Sequence, residues 1–541
     1  MNFEVIWNAL NYISEEMGVA LKNTAYSPNI RDRHDHTCAI LSPEGYLVAQ
    51  AEHIPVHIGS MAYGLQQTLR YMDRKGLDLT KGDIIIVNNP YISGTHLNDV
   101  TLIKPVYHGN KLVGYIANKA HHVDIGGKLP GGIGGDVKDL HDEGVVINPE
   151  YIVKGGELNT KLIKKIMDKV RTPQYFKGDL MAQIAAIKIG EKRIIELIDR
   201  VGFEKLVNSY IDSLEYVERY VRRRMEKVLE SGVYKASDYL EGYDEDLKIN
   251  VSIKVRDDYI EVDYTGTSWE VDYPLNAVYG VTVSATTYTF KTVLDPKLPF
   301  NHGIYNILRI YAPLKTILNP TYPHPVSAGN LETSQRIVDT IYKALSTALD
   351  DIPAASCGSM NNVMIGSKDW AFYETIGGGS GGRYNMDGVD GIHTNMTNTL
   401  NTPIEIIERE YPIHFIEYSL RIDSCGYGRY RGGLGLTRAF KLLENATLTV
   451  VASRVRYNPY GLHGGEPGKT GRNYIVRDGE EIDLENYKSL KLNMGDIVYI
   501  NTPGGGGYGS PLERPLNALE KDIREGKISK EYLIMRGILK D

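Results

Sequence analysis

Cysteine is scarce: three in 541 residues (Cys38, Cys357, Cys425), with no C-x-x-C pair and an odd count. That excludes a disulfide framework and a zinc ribbon and fits a reducing compartment. Long apolar runs are missing, none approaching the roughly 20 residues that span a bilayer. The N-terminal MNFEVIWNALNYISEEMG lacks a basic n-region and a small-residue cleavage site, so no secretory signal is expected and the chain is read as cytoplasmic. Basic excess is missing too, with 61 Lys and Arg against 68 Asp and Glu and a net charge of −7. That balance releases few counterions from a phosphate backbone, so no nucleic acid and no membrane is expected as a partner. Phenylalanine is rare, 8 residues against 38 Tyr, a bias that points to composition or wet interfaces rather than to chemistry.

Several signature motifs are equally absent. There is no G-x-x-x-x-G-K-[ST], and no G-x-G-x-x-G that follows a strand and opens a helix, so nucleotide binding on this chain is unsupported. There is no G-x-S-x-G elbow and no H-E-x-x-H, which leaves nucleophilic Ser or Cys catalysis without support. If the chain is an enzyme, water activated on a metal is the chemistry left.

What is present is an ordinary globular composition, 42% hydrophobic and 24% charged, which rules out disorder and collagen-like order. Apolar residues Ile6, Leu10, Ile13, Met17 and Leu21 recur at helical spacing and predict a helix over 2–24. DIIIVNNP (83–90) reads as a buried strand stopped by Asn-Asn-Pro, and 101–107 with 111–120 as a hairpin through His108-Gly109-Asn110. Helices are predicted over 159–170, 176–200, 203–231 and about 331–349, and a small helical tail over 515–539. The rest is read as short strands and glycine-rich turns. The order does not alternate strand and helix, so an α+β architecture is expected: a large mixed fold with antiparallel and mixed sheets, a helical middle and Gly-rich loops. Three regions follow: 1–158, 159–232 and 233–541, compatible with one continuous unit.

Nine of the 14 histidines lie within the first 141 residues, and imidazole is the commonest metal ligand near neutral pH. In THLNDV (95–100), His96 and Asp99 are three apart and can reach one cation. In AHHVDIGG (120–127), His121, His122 and Asp124 stand at a strand end before a glycine loop. Asp35 in RHDHT lies in a stretch too polar for a core strand. Asp35, His96, Asp99 and His121 together make a two-nitrogen, two-oxygen set that suits one divalent ion, Zn or Mn or Fe(II), without choosing among them. H-x-x-D spacing also suits a surface pair, and the coincidence with AHHVD and the glycine loop is what favours metal. His34, His36 and His108 are read as solvated. His53 and His57, flanking Pro55 on an extended segment, are read as packed histidines or as groups that orient a substrate.

Glycine clusters at 126–135, 377–382 and 504–509, with weaker runs at 428–438 and 461–468. Glycine gives close backbone approach, which serves structure as readily as a ligand, and the structural role is favoured for 504–509. Arg431, Arg438, Arg454 and Arg456 nearby are expected to form structural ion pairs.

The blocks RHDHTCAIL, AEHIPVHIGSM, GDIIIVNNPYISGTHLNDVTL, AHHVDIGG, DLMAQIAAIKIGEKRI, YPHPVSAGNLETSQRIVD, GYGRYRGGLGLTR and NTPGGGGYGSPLERP occur in this order along nearly the whole chain. In this the chain resembles the hydantoinase B family: B subunits of ATP-dependent hydantoinases, the matching half of 5-oxoprolinases, and acetone carboxylase α subunits. The resemblance implies a metal on Asp35, His96, Asp99 and His121. It also implies a hydantoinase A-type partner that binds ATP and phosphorylates a small-molecule cyclic amide, which this chain then hydrolyses. His57, His122 and Asp124 are the expected catalytic groups, moving a proton or orienting water. A ketone carboxylase subunit and a non-catalytic scaffold are the alternatives.

Overall fold

The structure is a computed structural model that describes residues 2–51, 53–485 and 487–539. Its first sheet has seven strands in the order β2-β1-β5-β4-β3-β6-β7: β1 His36–Leu41, β2 Leu47–Ala51, β3 Ile84–Val87, β4 Asp99–His108, β5 Lys111–His121, β6 Glu150–Lys154 and β7 Glu157–Leu158. Every pairing is antiparallel. The predicted hairpin at 108–110 is β4–β5.

Helices cover both faces of this sheet. On one lie Phe3–Thr24, whose Ile6, Leu10, Ile13, Met17 and Leu21 are all buried, and Pro173–Val201. The two helices cross where Gly190 meets Met17, with no room for a Cβ. Helix His57–Arg74 lies on the other face and packs on Tyr279–Leu294, which packs on Ser334–Leu345. That last helix rests on a second sheet, ordered β11-β10-β9-β8: β8 Gly232–Leu240, β9 Leu247–Val255, β10 Ile260–Asp263 and β11 Leu308–Tyr311. It is mixed, with β10 and β11 parallel.

The C-terminal half adds two sheets. One is β13-β12-β16-β19, built from β12 Asn362–Gly366, β13 Ala371–Thr375, β16 Ala446–Val451 and β19 Ser489–Leu492. The other is β14-β15-β20-β17-β18, built from β14 Ile413–Leu420, β15 Leu436–Leu442, β17 Arg472–Arg477, β18 Glu480–Asp483 and β20 Ile497–Asn501. Val363, Ile365 and Phe372 join a core with Phe440, Val450, Val498 and Ile500. The alternate residues Met364 and Tyr373 face the main core, as the period-two pleat requires. The architecture is therefore α+β, with several antiparallel and mixed sheets. No helix among the described residues is long and apolar enough to cross a membrane.

Two expectations are corrected. His57 does not sit on an extended segment: it opens an 18-residue helix. Helix Tyr279–Leu294 was not anticipated, because YGVTVSATTYTFKTVL is rich in β-branched residues and buried on nearly every side, so no apolar stripe marks it. Several of its hydroxyls are satisfied by its own backbone, Ser284 donating to Gly280 O and Thr286 to Thr282 O, while Thr282 donates to Leu318 O outside the helix.

The glycine runs pack against one another as extended chains. Gly379 N–H donates to Pro503 O, Gly382 to Gly506 O, Gly433 to Ser380 O, and Gly505 to Gly433 O. A Cβ at Gly432 would collide with the Gly505 carbonyl, and one at Gly505 with the Ser380 carbonyl. Glycine at 504–509 is thus a packing requirement.

The four arginines end in ion pairs: Arg431 with Asp390 and Asp522, Arg438 with Glu374, Arg454 with Asp238 and Asp339, and Arg456 with Asp246. Arg454 is 1% exposed and bonds both carboxylates at 2.9 Å. It ties β8 and helix Ser334–Leu345 to the strand region after β16. Among the described residues, Arg454→Met leaves the buried Asp339 carboxylate without an ion pair and leaves Asp238 with Arg336 alone, at 3.9 Å, and it is expected to lower the urea-unfolding free energy by about 3–5 kcal/mol.

Candidate metal centre

Three strand ends converge on one place. His121, last in β5, lies opposite Asp99, first in β4. The His121 N–H donates to Asp35 O at 3.0 Å, just ahead of β1. Residues opposite one another on antiparallel strands share a face, so Asp35, His121 and Asp99 project together. Alternation sends their sequence neighbours to the other face. His36 Nε2 lies 3.1 Å from Gly18 O, and His122 Nε2 lies 3.0 Å from Gln183 Oε1. His36 is 1% exposed, so its reading as solvated is corrected. His34 is half-buried, and His108 is exposed as expected.

His96 arrives from the loop before β4. The short helix Pro90–Ser93 ends on Gly94 at φ 87°, a left-handed cap that turns the chain, and the Asp99 N–H then donates to His96 O at 3.1 Å. Asp99 is central. Its Oδ2 lies 3.1 Å from His96 Nδ1 and 3.4 Å from His57 Nε2, and its Oδ1 lies 3.6 Å from His121 Nδ1. Asp35 Oδ2 is 3.8 Å from the same His121 Nδ1. The donor atoms of His96, Asp99 and His121 lie within 4.8 Å of one another.

Burial opposes ionisation of Asp99, yet the imidazoles of His96 and His57 outweigh it and hold the carboxyl well below its ordinary range. Burial also opposes protonation of His96, and the Asp99 carboxylate reverses that, raising it. His121 is lowered by burial, which Asp35 and Asp99 offset only in part. The His121 ring stacks on Tyr373, centroids 4.7 Å apart at 9°, and the Arg33 guanidinium covers Tyr373 at 4.8 Å.

Asp35, His57, His96, Asp99, His121 and Tyr373 line a small cavity of ≈ 20 Å³ together with Ile54, Val56, Asn330, Met360 and Thr397. That is room for about one water or one ion. Both nitrogens of His96, both oxygens of Asp99 and His121 Nε2 are buried without an aligned hydrogen-bond partner. Leaving so many polar atoms unsatisfied costs about 1–3 kcal/mol each. Orphaned imidazole nitrogens beside carboxylate oxygens fit a divalent cation, and the N and O donors suit Zn, Mn or Fe.

Of the expected residues, Asp35, His57, His96, Asp99 and His121 line this cavity. His122 and Asp124 do not. His122 packs on Phe176 and bonds Gln183. Asp124 accepts from Gly126, Gly131 and Arg171 N–H groups and pairs with the Arg171 guanidinium at 3.0 Å. Both side chains lie outside the cavity, and their hydrogen bonds pin the glycine loop and the helix. His53 is partly exposed beside Glu15.

Three further residues belong to the site. Arg33 and Tyr373 brace His121. Lys119, fully buried two positions before His121, donates to Ser93 O at 2.9 Å, Thr95 Oγ1 at 3.0 Å and Ser60 Oγ at 3.4 Å. It thereby joins β5, the His96 loop and the His57 helix. A lysine inside the apolar run VGYIANKA was the available signal.

The hydantoinase B/oxoprolinase family model matches residues 1–511. The chain belongs to this family. An uncharacterized Methanocaldococcus jannaschii member is 53% identical over 527 residues, covering 97% of this chain and 93% of that one. A Pseudomonas sp. member, named as the B component of a D-/L-hydantoinase, is 32% identical over 98% of this chain and 93% of its own. In the solved ATP-dependent caprolactamase from Pseudomonas jessenii, one chain is 27% identical, with TM-score 0.91 over 98% of this chain and 95% of that one. Other family members are longer: the 5-oxoprolinase of Dictyostelium discoideum is 34% identical over 92% of this chain, which spans only 39% of it.

Proposed function

We propose that the chain is the metal-containing B-type component of a cytoplasmic, ATP-dependent cyclic amide hydrolase that opens a hydantoin or 5-oxoproline ring. The observation that carries this reading is the convergence of His96, Asp99 and His121, with Asp35 beside them, in one small cavity of a hydantoinase B-type chain. The sequence carries no nucleotide-binding motif, so ATP is assigned to a separate hydantoinase A-type subunit in a hetero-oligomer. Phosphorylation there makes a poor amide electrophile into a good one.

Asp35, His96, Asp99 and His121 would hold the cation. A divalent ion at that place supplies Lewis acidity, polarising an oxygen and lowering the pKa of water. His57 is a positioning residue: Nδ1 meets the Thr37 hydroxyl at 2.9 Å and Nε2 faces Asp99, so the ring fixes the carboxylate. His57→Gln is expected to weaken metal affinity about 10–100-fold, measured by competition with a chelating dye.

The test is the purified pair of subunits. Hydrolysis of ATP in step with ring opening, without bicarbonate, supports the proposal. A requirement for bicarbonate and a ketone would replace it with a carboxylase. A chain without stoichiometric metal would leave only a scaffold.

A further inference from the structure

The metal cavity, at ≈ 20 Å³, has no room for a ring beside an ion, so the ring of a cyclic amide has to lie outside it. A space of the right size adjoins it. Residues of helices Tyr279–Leu294 and Ser334–Leu345, and of the glycine run at 377–382, line a cavity of ≈ 670 Å³, within the range that small-molecule sites occupy. Thr394 and Asn395 line it too, and the next two residues, Met396 and Thr397, line the metal cavity. One stretch of chain thus serves both spaces.

The walls define the ligand. Tyr288, Val293, Leu294, Tyr342 and Ile352 make an apolar side. Among the charged groups, Asp339 pairs with Arg454 at 2.9 Å and Arg224 faces Asp295 at 3.6 Å. That leaves Arg383 against Asp350 and Asp351, all exposed. A ring carrying a carboxylate meets no net positive charge here, whereas a neutral ring brings no charge that needs a partner. Asn395 supplies a polar contact. Its Nδ2 donates to Asp339 Oδ1 at 3.2 Å and to Ser356 Oγ at 3.1 Å. A carboxylate paired with arginine only accepts, which fixes the end of the carboxamide that is NH2. Oδ1 is left without a partner among the described residues, as an acceptor for a ring N–H. The backbone of Asn395 is left-handed, φ 52°, a conformation that asparagine adopts more readily than most residues.

We infer that this cavity binds the cyclic amide, with Asn395 Oδ1 accepting the ring N–H and the apolar side holding a substituent on the ring. The ligand class is a neutral ring amide with an apolar substituent: a 5-substituted hydantoin rather than 5-oxoproline. The inference rests on the hydrolase reading above and narrows its substrate.

The test is calorimetric titration of the full metal-loaded chain, without ATP, with 5-benzylhydantoin and with 5-oxoproline. The hydantoin should bind at least about 10-fold more tightly. Two variants probe the site. Ile392→Trp narrows the cavity at a residue that is 41% exposed and held by backbone bonds to Gly378, so the fold is kept. Asn395→Gly removes the acceptor and accepts the positive φ. Each should weaken 5-benzylhydantoin binding by about 10-fold, the size of one lost contact, with metal content unchanged. Wild-type affinity in either variant, or 5-oxoproline bound as tightly as the hydantoin, overturns the inference and leaves the hydrolase reading standing. The expected binding by a chain whose complex with the ATP-binding subunit opens no ring keeps the site and overturns the hydrolase reading.

Discussion

Asp99→Ala is expected to abolish stoichiometric metal binding and to lower ring opening by at least about 10³-fold, because Lewis-acid activation of water goes with the ion. Asp99 is the one residue that meets every other imidazole of the cluster: Oδ2 faces His96 and His57, and Oδ1 faces His121. Deleting it removes a ligand and the charge that makes cation binding favourable in a buried site. The variant should still fold. The β4–β5 ladder is made by backbone groups, and neutral imidazoles tolerate burial far better than ammonium or carboxylate groups do. Elemental analysis and circular dichroism on the same sample separate the two effects: metal gone, spectrum kept. A folded Asp99→Ala chain with one equivalent of metal would remove Asp99 from the ligand set.

The second large effect lies far from the metal. Gly505→Ala places a methyl group on the Ser380 carbonyl, and Gly432→Ala places one on the Gly505 carbonyl. Neither neighbour is the end of a flexible side chain. Both are backbone carbonyls held by hydrogen bonds, Gly433 N–H to Ser380 O and Gly426 N–H to Gly505 O. Relief requires the glycine layers to separate, breaking several such bonds at about 1 kcal/mol each with unmet donors left behind. Either substitution is expected to cost more than about 4 kcal/mol, in the range that marks severe overpacking. The measurement is the midpoint of thermal unfolding. By contrast Gly479→Ala, whose Cβ meets open space at φ 85°, should cost only the modest strain of its turn.

Much of the scaffold was legible. The spacing of Ile6, Leu10, Ile13, Met17 and Leu21, and the long amphipathic stretch from 159 to 231, translate directly into observed helices, because each buries one stripe. Helix Tyr279–Leu294 was illegible for the opposite reason: buried all round, it has no stripe. In the site, the clustering of histidine and aspartate pointed to blocks that the fold brings together, since strand ends deliver side chains in short polar motifs. What spacing could not decide was face. His121 and His122 are adjacent, as are Asp35 and His36, and only the sheet register assigns one of each pair to the cavity and the other to a helix. Arg33, Tyr373 and Thr397 were beyond reach as a group, being brought together from positions some 340 residues apart in the chain. Asp124 stood beside a glycine loop, as a ligand might, but that loop's N–H groups consume its oxygens.

The most direct measurement is an anomalous-scattering map from crystals of the metal-loaded chain, collected on both sides of the absorption edge of the metal found by elemental analysis. A single strong peak is predicted about 2.0–2.2 Å from donor atoms of Asp35, His96, Asp99 and His121. A peak elsewhere, or none above noise between these four side chains, would contradict the account.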